Sequence, residues 1–156
     1  MLVREIRRED YEAIESIARA LSPKWFTDSA VQEIVHAVRN ERGFVAISNS
    51  RSLGFATCRE RSDGVTADLT WIGVHPDFHR RGVGRSLIEA VELEFGKRGF
   101  KALEVCTVAG TVDYEPYALT RKFYSAMGFA EMEIVPGGFP SGDDKLLLTK
   151  HIVGVR

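Results

Sequence analysis

Read for its alternation of apolar and polar positions, the chain opens as a strand and then a helix. Residues 2 to 6, Leu2-Val3-Arg4-Glu5-Ile6, read as a short strand. From Glu9 to Leu21, the residues Ile14, Ile17, Ala18 and Leu21 recur at the spacing of one helix face, behind acidic residues that suit an electropositive helix N-terminus. Ser22-Pro23 closes this helix. Thr27-Asp28-Ser29 offers side-chain caps for a second helix to about Arg39, with Val31, Ile34, Val35 and Val38 as its apolar stripe. Trp25 and Phe26, in the connection, either line a cleft or plug the core.

Three β-rich runs follow, Gly43 to Ser48, Leu53 to Arg59 and Val65 to Val74, separated by the turn-forming Asn49-Ser50-Arg51 and Ser62-Asp63-Gly64, the layout of an antiparallel meander. Val83 to Arg98 then predicts a long helix. Val83, Leu87, Ile88, Ala90, Val91 and Phe95 share its inner arc, with Leu93 outside that arc and Glu94 within it. Gly99 is placed to cap this helix before a strand from Ala102 to Thr107, and strand, crossover helix and strand together make a right-handed parallel unit. A shorter helix, Glu115 to Met127, is closed by Gly128; strands Phe129 to Val135 and Lys145 to His151 flank a Gly/Pro/Asp-rich loop at 136 to 144. The expected fold class is therefore α/β with a mixed sheet: antiparallel N-terminal strands, a central parallel step with a crossover helix, and antiparallel C-terminal strands. A chain of 156 residues, 44% apolar, is long enough for one substantial core, so a single domain over 1–156 is expected.

Charge narrows the partners. Twenty-one Lys and Arg against 22 Asp and Glu give a net charge of −1, which recommends neither nucleic acid nor an anionic membrane. There is no span-length apolar stretch and no signal-like N-terminus, so a cytoplasmic location is the expectation. Cys58 and Cys106 lack metal or disulfide spacing and are expected to be reduced, buried thiols. His75 and His79 have no evident third ligand, so no metal is expected.

The chemistry concentrates between Trp71 and Ser86, where an apolar strand breaks at Pro76 and order resumes as a Gly-x-Gly helix start at Gly82-Val83-Gly84. The first N–H groups of a helix have no intrahelical partner and sit at the positive end of its dipole, so they hold anions. Glycine permits close approach of a phosphate, and Arg80, Arg81 and Arg85 add charge suited to a ligand with several phosphates. A dinucleotide fingerprint would need glycine at Leu87, and a P-loop would need glycine at His79 and lysine at Arg85; neither is present. Gly73, inside a strand, marks a bulge, a close backbone approach or tight packing. In the Glu115 to Met127 helix, Leu119, Phe123, Ala126 and Met127 form one apolar face, and Tyr117, Thr120, Arg121 and Tyr124 form a second face suited to a cleft wall.

The order of elements, Val74-His75-Pro76 leading into Arg80-Arg81-Gly82-Val83-Gly84, and the later Phe123-Tyr124-Ser125-Ala126-Met127-Gly128-Phe129 resemble the GNAT-type N-acetyltransferase superfamily over nearly the whole chain. One departure is that His79 takes the place where the family usually has Gln or Arg; imidazole can still donate to phosphate, which implies modified rather than lost binding. The resemblance implies acetyl-CoA as co-substrate. Its pyrophosphate would be held by His79, Arg80, Arg81, Gly82, Val83, Gly84, Arg85 and Ser86, mostly through backbone N–H groups. Its pantetheine arm would run along Ile72, Gly73 and Val74, with Phe123 beside it.

By the same resemblance Tyr124 is the general acid that protonates the departing thiolate, and backbone N–H near Val74 meets the oxyanion. A phenol, with a reference pKa of about 10, is protonated at neutral pH and so equipped for this. Asp68 stands where many relatives place an acid, and alternation puts it on one face with Thr70 and Ile72; Glu104 and Glu115 are its rivals as base. Cys106 lacks the neighbouring His that a nucleophile would want, so direct transfer to a primary amine is preferred. In such a family the acceptor is chosen around Leu21 to Asp28 and Val135 to Asp144, where Asp143-Asp144 suits either a cationic amine or a solvated turn and the glycines suggest a mobile loop. A non-catalytic acyl-CoA-sensing module and a phosphate-binding protein unrelated to CoA are the competing readings. The amine, the acyl length and the oligomeric state, a homodimer being one option, are not written in the chain.

Overall fold

The computed structural model describes residues 1–153, so the last three residues of the domain expected over 1–156 lie outside the described residues. The strands are β1 (Leu2–Glu5), β2 (Arg42–Ser48), β3 (Arg51–Glu60), β4 (Thr66–Val74), β5 (Ala102–Val108), β6 (Ala130–Val135) and β7 (Lys145–His151); the helices are α1 (Tyr11–Ala20), α2 (Asp28–Asn40), α3 (Val83–Lys97) and α4 (Glu115–Ala126). The seven strands form one sheet in the order β1-β2-β3-β4-β5-β7-β6. Every neighbouring pair is antiparallel except β4 with β5, which α3 joins as the crossover. The mixed sheet is thus as its apolar patterning predicts. The insertion of β7 between β5 and β6 is a tertiary choice that no local pattern announces.

Each face of the sheet is covered by its own helices. Val45, Phe55 and Trp71 pack on α1 and α2 through Ile14, Ile17, Ala18, Val31, Ile34 and Val38. On the opposite face, Ala56, Cys58, Ala67, Leu69 and Ile72 meet Val83, Leu87, Ile88, Val91 and Phe95 of α3, joined by Tyr124 from α4 and by Met127 just after it. Local signals set the ends. Thr27 Oγ1 accepts the Ala30 N–H at 3.1 Å to cap α2. Asn49 and Ser50 both take positive φ (49° and 61°), so the β2–β3 hairpin turn matches the strand twist. Arg4 donates to both oxygens of the buried Asp10 at 2.7 and 2.9 Å, locking β1 to the start of α1 and holding the Asp10 carboxyl below its ordinary range.

Four expectations are corrected by packing. The irregularity in β4 falls at Thr70, not at Gly73: Thr57 pairs with Trp71 and Cys58 with Leu69, so Thr70 is the extra residue. Gly73 is glycine because a Cβ there would stand 2.8 Å from the Phe55 ring and 3.0 Å from Leu21. The bulge also resets the alternation. Ala67 and Leu69 face α3, and after the bulge Ile72 faces it too, leaving Trp71 on the α1–α2 face with Asp68 and Thr70. Asp68 therefore does not share a face with Ile72. In α4 the buried side runs through Pro116 and Tyr124, continuing to Met127 just beyond its end, while Leu119 is 41% exposed and Ala126 is exposed, so the apolar face is rotated from the one expected. Finally, Cys58 is buried as expected but Cys106 is exposed, because β5 has lost its β4 neighbour at that level.

Candidate active site

The site begins where the parallel ladder stops. β4 and β5 pair only at Thr66↔Ala102, Ala67↔Leu103 and Asp68↔Glu104. Beyond them, Leu69 to Val74 pairs with β3 alone and Val105 to Val108 with β7 alone, so each strand leaves one edge without a ladder partner. Between these edges lies a cleft of about 1770 Å³ reaching from α2 to the N-terminus of α3. A strand edge inside a cleft can pair with an amide-bearing chain as it would with another strand.

At one end of the cleft, backbone supplies the chemistry. Arg80 and Gly82 both take left-handed dihedrals (φ 62° and 79°) to turn the chain into α3. The Ser86 N–H is bonded to Gly82 C=O at 3.0 Å, so the N–H groups before it, at Val83, Gly84 and Arg85, head the helix without an i−4 partner. Apart from its own chain neighbours, nothing lies within 4 Å of where a Gly82 Cβ would sit, and that open space suits an anion. Gly84 has a different reason: its Cβ would meet the Phe123 ring at 2.9 Å, so this glycine lets α4 close against α3.

Of the residues expected around a cofactor, Ile72, Gly73, Val74, His79, Arg80, Gly82, Val83, Gly84, Arg85 and Phe123 line the cleft. Arg81 and Ser86 do not; the Arg81 guanidinium instead lies 5.8 Å from the Phe78 ring, which Arg51 approaches at 4.8 Å. His79 also departs from expectation. Its Nε2 bonds the Val74 carbonyl at 2.7 Å, and its ring stands edge-on to Trp25 at 5.1 Å. With Nε2 donating to that carbonyl, His79 latches the loop to the end of β4.

Tyr124 is 4% exposed, packed edge-on to Phe129 at 5.5 Å and tilted on Phe123 at 5.5 Å, yet it still contributes to the cleft wall. Burial pushes its phenol well above the usual range, with the nearby Cys106 adding to the effect. Its hydroxyl is therefore a proton carrier throughout the physiological range. Cys106 is likewise held above the ordinary thiol value, chiefly by desolvation, with Lys145 opposing and Asp68 adding to the shift. A thiol kept protonated is a poor nucleophile.

The other end of the cleft is built from side chains. Arg61 donates to Asp68 through Nε at 3.2 Å and reaches its other oxygen from NH2 at 2.8 Å, while NH1 bonds Glu104 at 2.6 Å. One guanidinium thus clasps the last paired residues of β4 and β5, just before the strands part. Asp68 lies in the cleft as the sequence suggested, with Arg61 on both its oxygens; its rival Glu104 shares the same arginine, and Glu115 is exposed and does not line the cleft. Beside them Thr70 donates to Glu41 at 2.6 Å. Arg61 and Glu41 went unread in the sequence, since only the register and the bulge bring them here.

The 136–144 loop is tied down rather than loose: Asp144 accepts from Thr111 Oγ1 at 2.7 Å and from the Gly137 N–H at 2.9 Å, which holds its carboxyl below the ordinary range, while Ser141 donates to Asp143 at 3.2 Å. Phe139, Pro140, Ser141 and Asp143 line the cleft from this loop. Among the described residues, no group of three or more His, Cys, Asp or Glu is arranged to hold a metal ion, and no helix is long and apolar enough to cross a membrane.

The same architecture recurs in solved structures. A GNAT-family protein from Desulfovibrio desulfuricans superposes with a TM-score of 0.86 at 22% identity, covering 97% of this chain and 99% of its own. An Escherichia coli N-acetyltransferase acting on a ribosomal-protein alanine gives 0.78 at 24% identity, covering 99% and 96%. An aminoglycoside 6'-N-acetyltransferase, solved with coenzyme A, gives 0.79 at 15% identity, covering 100% and 99%. At these identities the likeness establishes the fold. No curated protein sequence matches significantly. Residues 39–131, more than half of the chain and including the β4–β5 divergence and the α3 cradle, match the family model described as acetyltransferase (GNAT) domain, and the chain belongs to that family.

Proposed function

We propose that this protein is a single-domain N-acetyltransferase that moves an acetyl group from acetyl-CoA directly to a primary amine of a small molecule or protein. The observation that carries the reading is the meeting, in one cleft, of the unpaired β4 edge, the anion-ready N-terminus of α3 and the buried Tyr124 hydroxyl. Acetyl-CoA, when bound, supplies an activated acyl carbon.

The chain's own residues do the rest. Backbone N–H groups at the head of α3, with Arg80 and Arg85, hold the pyrophosphate, and the Ile72–Val74 edge aligns the amide-bearing arm. An N–H near Val74 meets the carbonyl oxygen as it gains charge. Tyr124 donates to the departing sulfur and is restored by the proton that the nitrogen sheds as the amide forms. Asp68, its charge shared with Arg61, enters as the base that takes the surplus proton of the incoming ammonium through water, so that the nitrogen attacks as a neutral amine. Both structures named above for their acceptors are N-acetyltransferases, one of a ribosomal-protein alanine and one of an aminoglycoside, and the open side-chain end of this cleft is compatible with either kind.

The test is thermal melting with acetyl-CoA, CoA, ATP and NAD in parallel, followed by thiol release over a panel of primary amines. A ligand that binds only the folded state stabilises it by RT ln(1 + [L]/Kd). The expected result is a shift confined to the CoA ligands and thiol release with at least one amine. Equal shifts with ATP or NAD would overturn the assignment of the cradle, and CoA binding without turnover on any amine would leave a sensing module.

A further inference from the structure

The β4 bulge has a chemical consequence beyond its geometry. It places the Thr70 hydroxyl in the cleft wall, at the first residues where β4 and β5 no longer pair. That hydroxyl is 2.6 Å from Glu41 Oε1 and 2.7 Å from the hydroxyl of Thr57, which is fully buried. An ionised carboxylate only accepts, so Thr70 spends its one proton on Glu41. Thr57 then donates to Thr70. The Thr70 oxygen is left with one lone pair and no proton, and Thr70 lines the cleft, so it can accept an N–H but cannot give a hydrogen bond.

Glu41 is equally specific. It is the C-terminal cap of α2, so its carboxylate adds to the negative end of that helix dipole. Its side chain is 13% exposed and lines the cleft. Its remaining neighbour is Arg59, Nε to Oε2 at 3.3 Å, whose side chain is 65% exposed and therefore free to give way. Asp68 and Glu104 differ, since both are engaged by Arg61, which is the better-held guanidinium. On this wall the carboxylate with a displaceable cation is Glu41.

We infer that Thr70 and Glu41 form the seat for the acceptor's amino group: the Thr70 lone pair takes one N–H, and Glu41 receives the positive charge of an incoming primary ammonium in place of Arg59. The acceptor accordingly enters from the α1–α2 face, opposite the side on which α3 presents its N-terminus, and both are positioning residues for the amine rather than for the thioester. This inference rests on the acetyltransferase reading above. It specifies a cationic primary amine and disfavours an alcohol, because an acceptor hydroxyl brings no charge for Glu41.

The experiment uses the amine with the fastest thiol release in the panel, measured with Glu41→Gln, Glu41→Asp, Thr70→Val and Thr70→Ser. Glu41→Gln and Thr70→Val are expected to raise the KM for the amine about tenfold or more and leave the KM for acetyl-CoA and the CoA-induced melting shift as in the parent. Glu41→Asp and Thr70→Ser are expected to recover part of the loss. If either conservative variant is as poor as its partner, or if Glu41→Gln leaves the amine KM unchanged, the seat is wrong. A parallel loss of the CoA-induced shift would show that the pair only holds the sheet together and would overturn the inference. If Glu41→Gln does not fold, Thr70→Val carries the same comparison. Should the parent bind CoA and acetylate no amine at all, the acetyltransferase reading itself fails, and the seat with it; parental turnover with an unchanged variant removes the seat alone.

Discussion

The two ends of the cleft are made of different material. The end at α3 is backbone: a left-handed Gly82, three leading N–H groups and a glycine pressed against Phe123. The end at α2 and the 136–144 loop is side chains held by other side chains: Thr57, Thr70 and Glu41, and Arg61 with Asp68 and Glu104. Backbone groups present the same donors whatever the sequence around them, so the first end suits a ligand that never changes. Side-chain networks can be rewritten one residue at a time, so the second end suits a ligand that varies.

Tyr124 joins the two ends, and removing its hydroxyl gives the largest expected effect. Tyr124→Phe keeps the ring against Phe123 and Phe129 and deletes only the proton source. A positioned general acid contributes about 10²–10⁴-fold, so kcat is expected to fall by roughly 10²-fold or more with the KM for acetyl-CoA unchanged. The melting temperature at neutral pH should hold. Stability should show a second signature, at high pH. The folded phenol is shifted above its unfolded value by burial, so its stabilising contribution is complete below about pH 10 and is lost as pH rises beyond that toward the folded value. The parent should therefore lose stability on the alkaline side faster than Tyr124→Phe. A kcat within threefold of the parent would sink the assignment of Tyr124 as acid.

The backbone end is broken through its two glycines, which should fail in different ways. Gly82→Ala forces a Cβ into a left-handed residue, at a cost of about 1–2 kcal/mol, and should weaken CoA binding because the turn that aims the N–H groups is disturbed. Gly82→Asn should recover most of both, since asparagine tolerates that conformation. Gly84→Ala instead overpacks Phe123 and is expected to cost about 1–3 kcal/mol, with no rescue by Asn. Thermal melts with and without CoA separate the two, and an Asn at residue 82 no better than Ala would mean that the left-handed turn is not what the glycine provides.

The same contrast explains what could be read from the sequence. The strand–helix order, the α2 cap at Thr27 and the helix start at Gly82 were legible because each is written in contiguous residues with a local physical cause. The acceptor side was not. Thr70 reaches Glu41 only because β4 carries an extra residue there, and nothing in Leu69-Thr70-Trp71 announces a bulge; counting simple alternation through it put Ile72 on the wrong face. Arg61 sits seven residues from Asp68 and 43 from Glu104. Its clasp follows from strand register alone. Gly73 was legible as a special position but not as to cause, since its neighbours Phe55 and Leu21 lie on other elements. His79 was read as a phosphate donor, and only the fold shows the Val74 carbonyl waiting for it.

The mildest perturbation is at the loop that closes the acceptor end. Asp144 holds this loop through Thr111 and the Gly137 N–H, and its own backbone C=O accepts the Ala109 N–H at 2.9 Å. Its carboxyl is lowered by those side-chain and backbone donors, so the anchor is fully present above the unfolded carboxylate value and is lost as pH falls through the lower folded value. At neutral pH Asp144→Asn should loosen the loop through loss of the charge-assisted bonds, raising the KM for the amine a few-fold and leaving that for acetyl-CoA alone. Hydrogen exchange at Gly137 checks the cause. Protection there should be greater in the parent than in Asp144→Asn at pH 7, and the two should converge at a pH below the folded carboxyl's range. A gap that persists in acid would mean that something other than the charged carboxylate anchors the loop. A change in the acetyl-CoA KM would mean that the two ends of the cleft are coupled rather than separately built.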